Sequence, residues 1–256
     1  MNQYALKLAY DGTDFVGFQR QRHGRTVQGV LEDALVRLTG EAVADLKVRG
    51  AGRTDAGVHA EGQVVAFRTA RDWAAGRWVR ALGGVLPEDV AVQAARAVAP
   101  GFDPRRHAIG RTYEYRVLVS PVRRPLCRRT HHRVAALPAE REMIEGWTDL
   151  VGIRDFVAFR STGSSPRSTA VTVTEATVSR HDAEIAFAIS AGSFLYHMVR
   201  RLVGAALAVG QGKLSLADFR SYLTDRGEGL RPAPTAPARG LVLTDVQYPP
   251  PWEWEA

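Results

Sequence analysis

The run Arg49-Gly50-Ala51-Gly52-Arg53-Thr54-Asp55-Ala56-Gly57-Val58-His59-Ala60 decides how the rest of the chain is read. Gly50, Gly52 and Gly57 surround a single carboxylate, Asp55, with Arg53 two residues before it and His59 four after. The apolar, β-branched stretch Gln63-Val64-Val65-Ala66-Phe67 follows. This pattern predicts a loop that leaves one strand, presents Asp55 and enters another. Glycine permits positive φ and lets backbone approach a ligand closely. Two readings of Asp55 stand side by side: a catalytic group, or a turn aspartate that accepts backbone N–H groups.

Familiar site types can be tested against the spacing. Gly52 and Gly57 are placed as in a phosphate-binding loop, but Val58-His59 stands where lysine and serine or threonine belong. A dinucleotide fingerprint opening at Gly50 and Gly52 would need a third glycine where Asp55 stands, and that carboxylate would repel a pyrophosphate. Cys127, His131 and His132 are three metal-ligand types on a basic stretch without the companion cysteine of a zinc site. No nucleophile elbow supports Ser-His-Asp hydrolysis. The expectation is no metal, no nucleotide and no other cofactor.

Outward from the loop, Gln3 to Tyr10 reads as a strand closed by the turn signal Asp11-Gly12-Thr13-Asp14. Phe15-Val16-Gly17-Phe18-Gln19-Arg20-Gln21-Arg22 mixes aromatic, amide and basic groups. That mix suits stacking on RNA and equally suits a buried aromatic hook with a solvated tail. Thr26 is an N-cap for a helix with Val27, Val30, Leu31, Ala34, Leu35 and Leu38 on one face, ended by Gly40. Strands are expected at Leu46–Arg49, Gln63–Arg68 and Glu88–Val98, and a helix over Trp73–Leu86 before Pro87. The first half is thus β-α-β-β-α-β.

The same order recurs. Thr112–Val119 is a strand, Pro138–Leu150 a helix, and Ala170–Arg180 with Ala183–Ala191 a hairpin about His181-Asp182. A helix over Phe194–Val209, a short one over Leu216–Leu223 and a strand over Gly240–Tyr248 complete it. The expected fold is α/β in the α+β sense: two ferredoxin-like halves, residues 1–105 and 106–256, sharing a mostly antiparallel central sheet. Residues 161–168 read as a mobile polar loop and residues 231–238 as a proline-rich extended connector. The tail Pro249-Pro250-Pro251-Trp252-Glu253-Trp254 has no role assigned to it.

The net charge is +7, and of the 34 basic residues only Lys7, Lys47 and Lys213 are lysine. Arginine pairs bidentately with phosphate and stacks on bases, which lysine does poorly. The arginines cluster at 49/53, 105–106, 111, 123–124, 128–129 with 133, and 200–201. Genome composition alone can enrich arginine, but clustering favours a polyanionic partner, nucleic acid before membrane. No apolar run approaches the roughly 20 residues that span a bilayer. A lone cysteine and an N-terminus without signal-peptide regions point to the cytoplasm.

Gly-Arg-Thr-Asp-Ala-Gly-Val-His at 52–59 resembles the signature of the TruA family of tRNA pseudouridine synthases. The resemblance runs from end to end: Tyr10 to Gln21, Arg111-Thr-Tyr-Glu-Tyr115, Phe194 to Gly204, and Pro237 to Leu243. It implies the pseudouridine synthase fold and isomerisation of uridine to pseudouridine at positions 38 to 40 of the tRNA anticodon arm. It implies a homodimer, with tRNA as the partner. By the same resemblance Asp55 is the catalytic aspartate and Tyr113 stacks on the flipped uracil. Arg200 pairs with the aspartate, and Arg53 fills the space the base leaves. Tyr115 points to the same face of its strand as Tyr113 and is equally a packing residue. His59 and His197 are structural or RNA-contacting. One departure stands out: Ala170-Val171-Thr172-Val173 lacks an arginine usual in that strand, and Arg167 is the nearby substitute. The competing classes are a catalytically silent RNA-binding module and a hydrolase that releases a base.

Overall fold

The computed structural model describes residues 1–161, 168–224 and 233–254. It divides into two compact units, Met1–Ile109 with Val242–Ala256, and Gly110–Leu241. Sequence placed a boundary at 105/106 and kept the final strand in the second half; here that strand belongs to the first unit.

In the first unit, β1 (Asn2–Tyr10) leads through a 3-10 turn at Gly12–Asp14 to α1 (Val27–Thr39). The Thr26 hydroxyl accepts from the Gly29 amide at 3.2 Å, and Gly40 ends the helix at φ 77. Leu31, Ala34 and Leu35 form the buried face. The strand expected at Leu46–Arg49 is instead α2 (Val43–Leu46), a single turn closed by Lys47 in the left-handed region, followed by the two-residue β2 (Arg49–Gly50). β3 (His59–Thr69) is longer than expected, and α3 (Ala75–Gly83) shorter. β4 (Val90–Ala97) completes the run. β1 lies antiparallel between β4 and β3, and β2 pairs antiparallel with the far edge of β3. This is the β4-β1-β3-β2 order of a ferredoxin-like unit. Trp78 on α3 seals one face, its ring 5.4 Å from Tyr4, 4.9 Å from Phe67 and 4.5 Å from Trp73.

The second unit opens with β5 (Gly110–Val119), against which β6 (His132–Val134) pairs in parallel. α4 (Glu140–Thr148), β7 (Gly152–Asp155), β8 (Ala170–His181), β9 (Glu184–Ala191), α5 (Met198–Gly210) and α6 (Leu216–Thr224) follow. The strands run in the order β5-β9-β8-β7, each antiparallel to its neighbour. The β8–β9 hairpin turns at Asp182, φ 52, where the sequence placed it. Trp147 of α4 packs on Phe187 of β9 and donates its indole N–H to the Ala188 carbonyl at 3.1 Å, satisfying its one polar atom inside the core.

β10 (Leu241–Gln247) closes the chain's regular structure and pairs in parallel with β3 at Val242↔His59 and Leu243↔Ala60. Both units are mixed α+β, their strands mostly antiparallel. Residues 162–167 of the polar loop, including Arg167, and residues 231–232 of the connector lie outside the described residues. Among the described residues no helix is long and apolar enough to cross a membrane.

Candidate active site

The loop that carries Asp55 is held on every side by the strands that frame it. Tyr10, at the end of β1, sets its hydroxyl 2.8 Å from Thr54 Oγ1, a buried pair. Gln63 of β3 is fully buried and donates its amide to the Gly52 carbonyl at 3.0 Å. The Ala51 amide donates to Val64 O at 2.8 Å, and the Phe18 amide to Thr54 O at 3.1 Å. Past the aspartate, Val58 N–H donates to Asp55 O at 3.1 Å, making the turn, and Gly57 N–H reaches Phe15 O. Thr54 and Val58 are buried, Asp55 is half-buried and Arg53 is exposed. The carboxylate therefore sits on backbone anchored by the buried Thr54 before it and Val58 after it.

The glycines have separate causes. Gly57 has φ 76, which a side chain disfavours. A Cβ on Gly50 would stand 2.5 Å from the Phe18 ring, so the room made there is taken by the protein's own aromatic. A Cβ on Gly52 would meet nothing within 4 Å. Gly52 is thus the one of the three that leaves space beside Arg53 and Asp55.

Phe15 and Phe18 are both buried, while Arg20 to Arg25 are exposed. Of the two readings of the segment after β1, the buried hook is the one observed. It is latched to α1 through the buried Glu32, which receives Arg20 Nη1 at 2.6 Å and Gln28 Nε2 at 2.7 Å. His59 is also buried; its Nδ1 accepts from Gly12 N–H at 3.1 Å and lies 3.1 Å from Asp11 Oδ1. It holds the turn after β1 against β3.

In the second unit Tyr113 and Tyr115 occupy one face of β5 with different fates. Tyr115 is wholly buried, its hydroxyl donating to Pro237 O at 2.8 Å. Burial pushes its pKa far up, against the opposing charges of Arg239 and Arg200. Tyr113 is half-buried, and its ring meets Phe194 edge-on at 5.2 Å and 88°. Of the two, only Tyr113 keeps some exposure to solvent.

Arg200 lies in the first turn of α5 and is half-buried. Its Nε donates to Ala236 O at 2.9 Å, and Ala236 N–H donates back to Arg200 O at 2.9 Å. The helix was expected from Phe194 but begins at Met198, because His197 adopts φ 61 with Nδ1 3.0 Å from Ser161 Oγ. The Phe194–His197 stretch is thereby freed from helical geometry and places Phe194 against Tyr113. Asp55 and Arg53 thus belong to the first unit, Tyr113 and Arg200 to the second.

The sequence reading did not name the loop's supports. Gln63 had a signal, a lone amide inside an apolar run; so did Tyr10, a tyrosine at a strand end. The tie between Arg200 and Ala236 had none, because it joins backbone to side chain across 36 residues.

A family model described as tRNA pseudouridine synthase matches residues 7–105 and 148–249. The chain is 43% identical over 256 residues to the tRNA pseudouridine synthase A of a Methylobacterium species, covering 98% of this chain and 99% of that one. It is 41% identical over 252 residues to that of Neisseria gonorrhoeae, and 40% over 249 to that of Myxococcus xanthus, covering 96% and 97% of this chain and 92% of each relative. These likenesses and the α+β architecture define an isomerase that acts on tRNA. The chain belongs to the TruA family of tRNA pseudouridine synthases, which convert uridine to pseudouridine in tRNA.

Proposed function

We propose that the protein isomerises uridines at positions 38 to 40 of the tRNA anticodon arm, with Asp55 as the catalytic group. The observation that carries the reading is the clamped loop: one half-buried carboxylate, beside a glycine with open space, on backbone tied down by Tyr10, Gln63 and Phe18. The reaction breaks the N1–C1′ bond, turns the uracil and joins C5 to C1′. It needs no redox step and no donated group. A carboxylate has three ways to start it: adding to the ribose, adding to the uracil, or removing a ribose proton. Each requires a fixed acid and a target base taken out of its stack, so base flipping precedes chemistry.

Tyr113 supplies the stacking face for the flipped uracil, and its hydroxyl is of the class that helps take the C5 proton. Arg200 takes the part of the arginine partner of Asp55 that the family resemblance implies. Its tie to Ala236 fixes the direction of its guanidinium. Arg53, exposed beside Asp55, takes the place the base vacates. In this reading residues 1–105 bring the acid and residues 106–256 bring the stacking and pairing groups. The enzyme works as a homodimer in the cytoplasm, with one tRNA touching both subunits.

The test uses unmodified tRNA tritiated at uracil C5, without metal or nucleotide. Tritium release with intact tRNA is expected, and Asp55→Asn abolishes it while binding survives. Tyr113→Phe keeps binding and loses turnover. Normal turnover by Asp55→Asn would sink the assignment, and free uracil as product would make the protein a hydrolase.

A further inference from the structure

The β5–β6 crossover carries a basic surface that the assignments above leave without a task. From Ser120 to Ala139 the sequence has five arginines and no acidic residue. The connection is nevertheless built, not slack. Ser120 N–H donates to Val134 O at 2.9 Å, and Val122 N–H to Ser120 Oγ at 3.2 Å. Arg133 Nη1 donates to the Ser120 carbonyl at 2.8 Å, closing the base of the loop. A 3-10 turn at Pro125–Cys127 forms its tip, extended by Thr130 N–H and His131 N–H to Cys127 O.

On this frame Arg123, Arg124 and Arg128 are exposed. Among the described residues none of the three has a carboxylate within ion-pair distance. Four exposed arginines elsewhere are held by acids. Arg25 holds Asp89, Arg49 holds Asp103, Arg180 holds Glu140, and Arg220 holds both Glu145 and Asp149. On this loop three stand together with no acid in the surrounding sequence from Ser120 to Ala139. Leu126 at the tip is 97% exposed and Val122 69%, so none of the described residues covers these two side chains.

We infer that this loop is a second tRNA-binding surface, in which Arg123, Arg124 and Arg128 contact backbone phosphates of the same tRNA away from the reacting uridine. The inference rests on tRNA being the substrate and not on the role of Asp55. Distance follows from the strand. Val119, where the loop departs, is six residues beyond Tyr113 on β5, about 20 Å at about 3.3 Å per residue. Phosphates reached there belong to nucleotides other than the flipped one and its immediate neighbours. Arginine forks on a fixed frame lose little freedom on binding, so the contact adds affinity and orientation without touching the chemistry.

The test compares the full chain with a triple variant, Arg123→Ala, Arg124→Ala and Arg128→Ala, on full-length unmodified tRNA. Loss of three phosphate contacts should raise KM roughly tenfold near physiological salt and shrink the slope of log Kd against log salt by about two to three. Turnover number should stay within about twofold. Lysine at the same three positions, which keeps the charge, should bring affinity back to within about threefold. Unchanged affinity and salt slope in the alanine variant would overturn the inference, as would failure of the lysine variant to restore binding. Leu126→Ser should leave tRNA affinity alone. If it instead changes the sedimenting mass while the alanine variant binds tRNA normally, the loop is a protein contact and the inference is wrong. Failure of the Asp55 assignment would show separately, as turnover by Asp55→Asn with affinity intact.

Discussion

The Tyr10 hydroxyl is one of the ties that hold the Asp55 loop. The Tyr10–Thr54 pair is buried and 2.8 Å long, and it joins the end of β1 to the residue before Asp55. Burial pushes the Tyr10 pKa up to about 12, against hydrogen bonds to Thr54 and Gln63 that act to lower it. The tyrosine is therefore neutral at any working pH, so the contact is an ordinary hydrogen bond and not a charge interaction. Tyr10→Phe leaves Thr54 Oγ1 buried without that partner, a loss of about 1–3 kcal/mol. Thr54→Val removes the other side. Because both act on one contact, the double variant should be less destabilised than the two single losses added, by about 1 kcal/mol or more in urea denaturation. Turnover should fall in each variant with tRNA affinity little changed, since the loop's support and not its RNA-facing side is altered. Strict additivity in the cycle would mean that the two hydroxyls are not coupled.

At the scale of elements, α5 and the segment that crosses it are locked by a glycine. A Cβ at Gly204 would stand 2.0 Å from Pro234 O and 3.2 Å from Ala236 N, both backbone atoms that cannot swing away. Alanine in a helix interior normally gains about 1 kcal/mol over glycine. Here overpacking of about 1–3 kcal/mol outweighs it, so Gly204→Ala should destabilise the fold. It should also break the reciprocal Arg200–Ala236 bonds, seen as faster hydrogen exchange at the Ala236 amide. Gly83→Ala, at the end of α3 with nothing within 4 Å of its Cβ, should do the opposite and stabilise by a few tenths to 1 kcal/mol. Elements like α1, with Thr26 and Gly40 as its punctuation, and the β8–β9 hairpin were legible because their signals are local. β6 and β7 were not, being three and four residues long and strands only by virtue of β5 and β8. α2 took the place of a strand because Lys47 accepts the left-handed region, a choice that β-propensity does not report. Asp55 was legible as an acid standing where a dinucleotide fingerprint needs its third glycine. The start of α5 was not, since His197 is held by Ser161, 36 residues away.

For the molecule as a whole, four wholly or partly buried ionisable groups define a pH window of stability. Burial lowers the pKa of His132, helped by Arg239 and Arg133. Burial also lowers that of His131, where it and Arg116 outweigh Glu184. Each binds a proton less readily folded than unfolded, where the ordinary value is 6.5. Their contribution is therefore complete above pH 6.5 and is lost as pH falls from there through the folded values. Asp103 adds a second acid step. Burial acts to raise its pKa, but the Arg106 and Arg105 amides and the Arg49 guanidinium overcome it, and its stability is lost only below the ordinary 3.8. On the alkaline side Tyr10 resists ionisation, so stability holds up to its ordinary 10.0 and falls between there and about 12. The curve of urea midpoint against pH should thus be flat from about 7 to 10 and fall in two steps on the acid side. Replacing both histidines, His131→Gln with His132→Gln, should erase the step that begins near 6.5 and leave the one below 3.8. A double variant whose midpoint still drops between pH 7.5 and 5.5 would assign that step to other groups. Because the same titration raises the net charge above +7 as pH falls, tRNA affinity should strengthen over the range in which the fold weakens. The pH of greatest binding should then lie below the pH of greatest stability, with their separation narrowed in the double variant.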